Sequence, residues 1–138
     1  MKEKLHNILL IDDSKADNFI SSRIIKKSDV TNEITVTHGA REALNYLAKN
    51  VDGRYPKPEI IFLDINMPDM TGWDFLNEYE QLEEEKRAGV VVCMLTTSDA
   101  ETDKKRALEY KVLSDFSNKP LSHEKLMTII KDNFSELL

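Results

Sequence analysis

The chain has 138 residues, the usual size of one domain, and is long enough to bury a core without disulfides or structural metals. Its formal net charge of -6, with no extended Lys/Arg cluster, argues against a general nucleic-acid surface. Cys93 is the one cysteine, which excludes an intrachain disulfide; set inside an apolar run, it reads as a small core residue in a reducing compartment. No apolar segment has the length of a signal peptide or a membrane span, so a cytoplasmic protein with no membrane partner is expected.

Taken in order, the apolar pattern alternates between strand-like and helix-like stretches. Residues 6 to 12 read as a first strand, closing the run Ile8-Leu9-Leu10-Ile11 with Asp12 and Asp13. From Ser14 to Lys27 the spacing predicts a helix, with Ala16, Phe19, Ile20 and Ile24 on one face and Ser14 as N-cap. Residues 33 to 37 alternate and are β-branched, so they predict a strand. Ala40, Ala43, Leu44 and Leu47 mark a second helix ending near Asn50, and Gly53, Pro56 and Pro58 then place residues 51 to 58 in a loop.

Residues 59 to 64 predict the third strand, with Asp64 closing Ile60-Ile61-Phe62-Leu63. Pro68 and Gly72 frame a tight loop, after which Trp73, Leu76, Tyr79 and Leu82 recur at helical spacing up to the acidic, solvated stretch 83 to 85. Gly89 is expected to break that helix before a fourth strand over residues 90 to 96, whose last residue is Thr96. A polar helix over residues 100 to 112, a short strand over 114 to 118 and a final helix starting at Ser122 complete the pattern. Five strands alternating with five helices predict an α/β fold of right-handed βαβ units around a parallel sheet.

In an open parallel sheet, ligands bind outside the carboxyl ends of the strands. Asp12, Asp13, Asp64, Thr96 and Lys119 all fall at such ends, so three carboxylates, a hydroxyl and an ammonium should converge. Three close carboxylates repel, and at least one pKa should rise unless a cation is present; oxygen-only ligands suit Mg²⁺. His6, His38 and His123 are not spaced for a transition metal, and none is expected beside the acids at a strand's carboxyl end. An ammonium and a hydroxyl beside Mg²⁺ make a clamp for a phosphoryl group, and an aspartate can accept one as nucleophile. The residues alone leave open which aspartate accepts; Asp64 is the lone acid on its strand and precedes the Pro/Gly-framed loop.

Ile11-Asp12-Asp13, Leu63-Asp64 through Gly72, Met94-Leu95-Thr96-Thr97-Ser98 and Lys119-Pro120 together resemble the response-regulator receiver domain of two-component signalling, in its stand-alone, CheY-like form. The four motifs cover essentially the whole chain in the expected order, so residues 1 to 138 are expected to be one receiver domain without an output domain. The resemblance implies a flavodoxin-like, doubly wound sheet of strand order 2-1-3-4-5. It implies Asp64 as phosphoacceptor, and Mg²⁺ held by Asp13 and Asp64 side chains, the Asn66 carbonyl and, through water, Asp12. Lys119 would pair with Asp64 and then with the phosphoryl oxygens, Thr96 would hydrogen-bond the phosphoryl group, and Phe116 would be the aromatic switch; Lys119-Pro120 would be a cis junction.

The implied partners are a sensor histidine kinase or a histidine phosphotransfer protein, and an unknown protein target read through the face of residues 96 to 137. The alternative on the same site is a phosphorelay shuttle that passes phosphate between histidines. An aspartate-nucleophile phosphatase is disfavoured, because the position two residues after Asp64 is Asn66 rather than an acid. Thr97 stands where the family usually has a smaller residue, which predicts slower exchange at the site.

Overall fold

The apolar runs pair in parallel into one five-stranded sheet of order β2-β1-β3-β4-β5. The computed structural model describes residues 3–95 and 101–135, apart from the side chains of Cys93 and Leu95. The strands are β1 (Leu5–Ile11), β2 (Thr31–Thr37), β3 (Ile60–Asp64), β4 (Val90–Leu95) and β5 (Leu113–Asn118). The helices between and after them are α1 (Lys15–Ser28), α2 (Ala40–Leu47), α3 (Gly72–Tyr79), α4 (Glu101–Ala107) and α5 (His123–Asn133). Strand order and alternation are those expected of the doubly wound fold. Thr96 and Thr97 lie outside the described residues.

The period of two along β3 builds the two cores. Ile61 and Leu63 join a cluster with Ala43, Leu47, Phe75 and Leu76 of α2 and α3. Ile60 and Phe62 join the opposite cluster with Ile25 of α1 and Leu126, Ile129 and Ile130 of α5. Because β3 is covered on both faces, its four apolar side chains are buried, each contributing roughly 1.5–3 kcal/mol of transfer free energy. The register Ile11↔Leu63 and Asp64↔Met94 then brings the ends of β1, β3 and β4 to one edge.

Several local expectations change. The face of α1 carrying Ala16, Phe19 and Ile20 is exposed, with Phe19 65% and Ile20 43% accessible; Asn18 and Ile25 are the residues it buries. The cause is polar: Ser14 caps the helix at the Asp17 amide, and the Asn18 side chain donates to the Asp12 carbonyl at 2.9 Å, which turns Asn18 toward the sheet. Helix α3 ends at Tyr79, well before Gly89. The Arg87 guanidinium donates to the carbonyls of Glu80 (2.6 Å) and Leu82 (3.1 Å) and so satisfies acceptors at that helix end. Gly89 serves close approach instead: a Cβ there would lie 2.7 Å from the Glu59 carbonyl oxygen.

Helix α2 ends at Leu47, and the Asn50 side chain accepts from Gly53 in the turn that follows. Helix α4 stops at Ala107 rather than reaching residue 112, and Leu108 is 79% exposed. Tyr110 follows it, stacked on Trp73 of α3. Residues 83 to 85 are exposed as expected, in and beside a short 3-10 turn over Glu84–Lys86.

Candidate functional site

The site is built where β1, β3 and β5 end. Asp12 follows the last residue of β1, Asp64 is the last of β3, and Lys119 follows β5 on a cis peptide bond to Pro120. The Lys125 ammonium of α5 donates to the Asn118 and Pro120 carbonyls at 2.8 and 3.2 Å, which ties down the turn that presents Lys119. The Asp12 carboxylate is oriented by the Ser14 amide at 2.9 Å. The Asp64 carboxylate accepts from the Asn66 amide at 3.2 Å, and the following loop closes as Gly72 donates to the Ile65 carbonyl.

Each carboxylate of Asp12, Asp13 and Asp64 offers an oxygen within 4.8 Å of the other two. Asp12 and Asp64 are buried, whereas Asp13 is exposed. The three acids thus converge as the strand-end positions predict, with Asp13 at the open rim. The Lys119 ammonium stands 2.7 Å from Asp12 Oδ2, 2.9 Å from Asp17 Oδ2 and 3.3 Å from Asp64 Oδ1.

The electrostatics follow from this packing. Burial, then the neighbouring charge of Asp12, push the Asp64 carboxyl up to about 6; Lys119 and the Asn66 amide pull against that shift without cancelling it. For Lys119, burial disfavours the ammonium, but hydrogen bonds to Asp12 and Asp17 and the charge of Asp64 outweigh it and hold the pKa above its ordinary value. A carboxylate that is costly to ionise beside other acids suits a site completed by a hard cation. Oxygen donors of this kind fit Mg²⁺, Mn²⁺ or Ca²⁺ rather than a soft metal.

The structure thus brings together Asp12, Asp13, Asp64 and Lys119, with Asn66 adjoining through its amide. Phe116 sits half-buried on β5, packed against the α2–α3 side of the core, with the Lys104 ammonium 5.9 Å from its ring centroid. Sequence patterning does not single out Asp17, since it lies on a helix rather than at a strand end. The available signal is its position in the first turn of the helix that directly follows Asp12 and Asp13. His38 follows the carboxyl end of β2, with Nδ1 3.4 Å from the Asn18 side-chain nitrogen. It is exposed and lies outside the carboxylate group of Asp12, Asp13 and Asp64.

A doubly wound five-stranded parallel sheet, with acids and a lysine gathered at the carboxyl ends of its strands, defines a flavodoxin-like α/β domain. The particular family is shown by comparison: the model of the response regulator receiver domain matches residues 8–131, and the chain belongs to that family. Receiver domains are switches of two-component signalling rather than enzymes with a separate substrate.

Rcp1 of Synechocystis is 37% identical over 99 residues, covering 70% of this chain and 65% of that protein. The probable methanogenesis regulatory protein FilR2 of Methanothrix harundinacea is 30% identical over 125 residues, 91% of this chain and 79% of that one. Among solved structures, a two-component response regulator from Cytophaga hutchinsonii superposes with TM-score 0.84 at 27% identity, covering 96% of this chain and 99% of that chain. A Mn²⁺-bound form of Rcp1 superposes with TM-score 0.71 at 26% identity over 96% of both chains. No helix among the described residues is long and apolar enough to cross a membrane.

Proposed function

We propose that the chain accepts a phosphoryl group on Asp64 from a phosphohistidine and acts as a cytoplasmic signalling switch, with residues 1 to 138 working as one receiver unit. The observation that carries this is the buried Asp64 carboxylate set 3.3 Å from the Lys119 ammonium, beside two further acids. The Asp64 oxygen attacks phosphorus, the P–N bond to the donor imidazole breaks, and its electron pair returns to that ring nitrogen. Lys119 faces the negative charge that gathers on the phosphoryl oxygens.

Asp12, Asp13 and Asp64 are the side chains fitted to hold Mg²⁺, with the Asn66 carbonyl as the further ligand carried over from the family. When bound, the cation supplies charge neutralisation between the acids and the incoming phosphoryl group. Thr96 is assigned the hydrogen bond to a phosphoryl oxygen, and Phe116 the switch that alters the α4–β5–α5 face read by the target. The donor is a sensor histidine kinase or a histidine phosphotransfer protein. In support, the region of CheAY, a sensor histidine kinase of Helicobacter pylori, that matches this chain is 32% identical and forms 14% of that kinase. The exposed Phe19 and Ile20 of α1, next to Asp17, offer such a donor an apolar surface beside the site.

Incubation with acetyl phosphate and Mg²⁺ tests the reading. Wild type gains one phosphoryl group by intact mass and Asp64→Asn gains none; an Asp64→Asn protein that loads at the wild-type rate contradicts it. Stable capture of a target by the phosphorylated form marks a switch. Onward transfer to a second histidine protein without capture marks the shuttle.

A further inference from the structure

Two overlapping sets of acids meet at the site. Asp12, Asp13 and Asp64 form the carboxylate group that fits a divalent cation. Asp12, Asp17 and Asp64 form the set around the Lys119 ammonium. Among the described residues, Asp17 is the one lysine partner that does not belong to the cation's set.

We propose that Asp17 is the positioning residue of Lys119, the acceptor that keeps the ammonium in place when Asp12 and Asp64 are engaged with cation and phosphoryl group. This rests on the phosphoacceptor reading of Asp64. An ammonium has three donors and no fixed fork, so its location is set by its acceptors. Asp12 gives it a contact of 2.7 Å, yet that carboxylate is shared with the cation group. Asp64 loses its charge at the bonded oxygen once phosphorylated. Asp17, at 2.9 Å, has neither competing demand.

Its carboxylate is itself well placed. The Asp17 amide is held by Ser14 Oγ at 3.2 Å, and the next residue, Asn18, is bonded to the Asp12 carbonyl at 2.9 Å. Helix α1 is thereby fixed to the end of β1, and Asp17 with it. The same helix presents Phe19 and Ile20 outward, so Asp17 joins the lysine to the element that borders the site. A purely local role also exists for an acid in a helix's first turn, through the macrodipole. That role needs no lysine, which separates the two.

The first measurement is competitive acylation of lysine amines in saturating Mg²⁺, resolved by peptide mass spectrometry. Lys119 should label more slowly than the exposed Lys26 in wild type, and roughly tenfold faster in Asp17→Ala, with Asp17→Asn between them because it keeps a neutral acceptor. The second is the rate of Asp64 phosphorylation by acetyl phosphate. Asp17→Ala should lower it roughly tenfold, about 1.4 kcal/mol, and should change it less than twofold in a Lys119→Ala background. Unchanged Lys119 labelling in Asp17→Ala overturns the proposal. So does phosphorylation at or above the wild-type rate, which would make Asp17 a competitor for the ammonium, or a full loss that persists without Lys119. If wild type takes no phosphoryl group, the phosphoacceptor reading fails and this proposal with it; failure confined to the variants leaves that reading standing.

Discussion

Gly72 lies against the main chain of Asp64: a Cβ on Gly72 would stand 2.7 Å from the Asp64 carbonyl oxygen and 2.6 Å from Ile65 Cδ1. The backbone oxygen cannot give way without moving the strand end that carries the site. Gly72→Ala should therefore lower the unfolding free energy by about 1–3 kcal/mol, the usual cost of overpacking. Denaturant titration measures this, and a variant as stable as wild type would show that the loop yields freely.

The raised pKa of Asp64 sets a pH dependence. In the unfolded chain this carboxyl ionises near 3.8, whereas in the fold it keeps its proton up to about 6. Between those values the folded state binds more protons, so stability falls as pH rises and stays at the lower level above the folded pKa. Asp64→Asn removes that loss. In chelator, its stability advantage over wild type should grow from about pH 4 to about pH 6 and level off on the order of 2–3 kcal/mol. A difference that does not vary with pH would mean that Asp64 is not held up in the fold.

Asp13 is exposed where Asp12 and Asp64 are buried. Asp13→Ala should weaken Mg²⁺ binding by at least about tenfold relative to Asp132→Ala, while metal-free stability stays within about 0.5 kcal/mol of wild type. Calorimetric titration and chelator melts measure the two effects separately. Unaltered Mg²⁺ affinity would remove Asp13 from the ligand set.

Trp73, the one tryptophan, stacks on Tyr110 with ring centroids 5.6 Å apart and planes at 21°, and the Arg106 guanidinium lies 4.7 Å from its ring centroid. The Tyr110 hydroxyl donates to Asn77 at 3.0 Å, so α3 and the turn after α4 are joined by one contact group. Tyr110→Leu should cost about 0.5–1.5 kcal/mol beyond lost area and shift Trp73 emission to the red, with easier quenching by iodide. An unaltered spectrum would mean that the stack does not shield Trp73.

What could be read from the chain follows from how local each signal is. The buried strands announce themselves as apolar runs, and the rule that ligands bind at strand ends collects Asp12, Asp13, Asp64 and Lys119 without reference to distant contacts. Asp17 escaped because it reaches the lysine from a helix, across a sequence separation that no period encodes. The rotation of α1 was hidden for a similar reason: the Asn18 side chain bonds the Asp12 carbonyl and overrides the apolar face of Phe19 and Ile20. Gly89 reads as a helix breaker in sequence, yet its role depends on the Glu59 carbonyl of another element. The early end of α3 depends on Arg87 folding back on Glu80 and Leu82.

The proposed phosphoacceptor role requires that Asp64 itself become an acyl phosphate. Borohydride reduction after treatment with acetyl phosphate and Mg²⁺ converts an aspartyl phosphate to homoserine, and peptide mass spectrometry locates the changed residue. Homoserine is expected at position 64 alone, and it should be lost when Mg²⁺ is chelated. Homoserine at Asp12, Asp13 or Asp17 in place of Asp64, or none at any position, would contradict it.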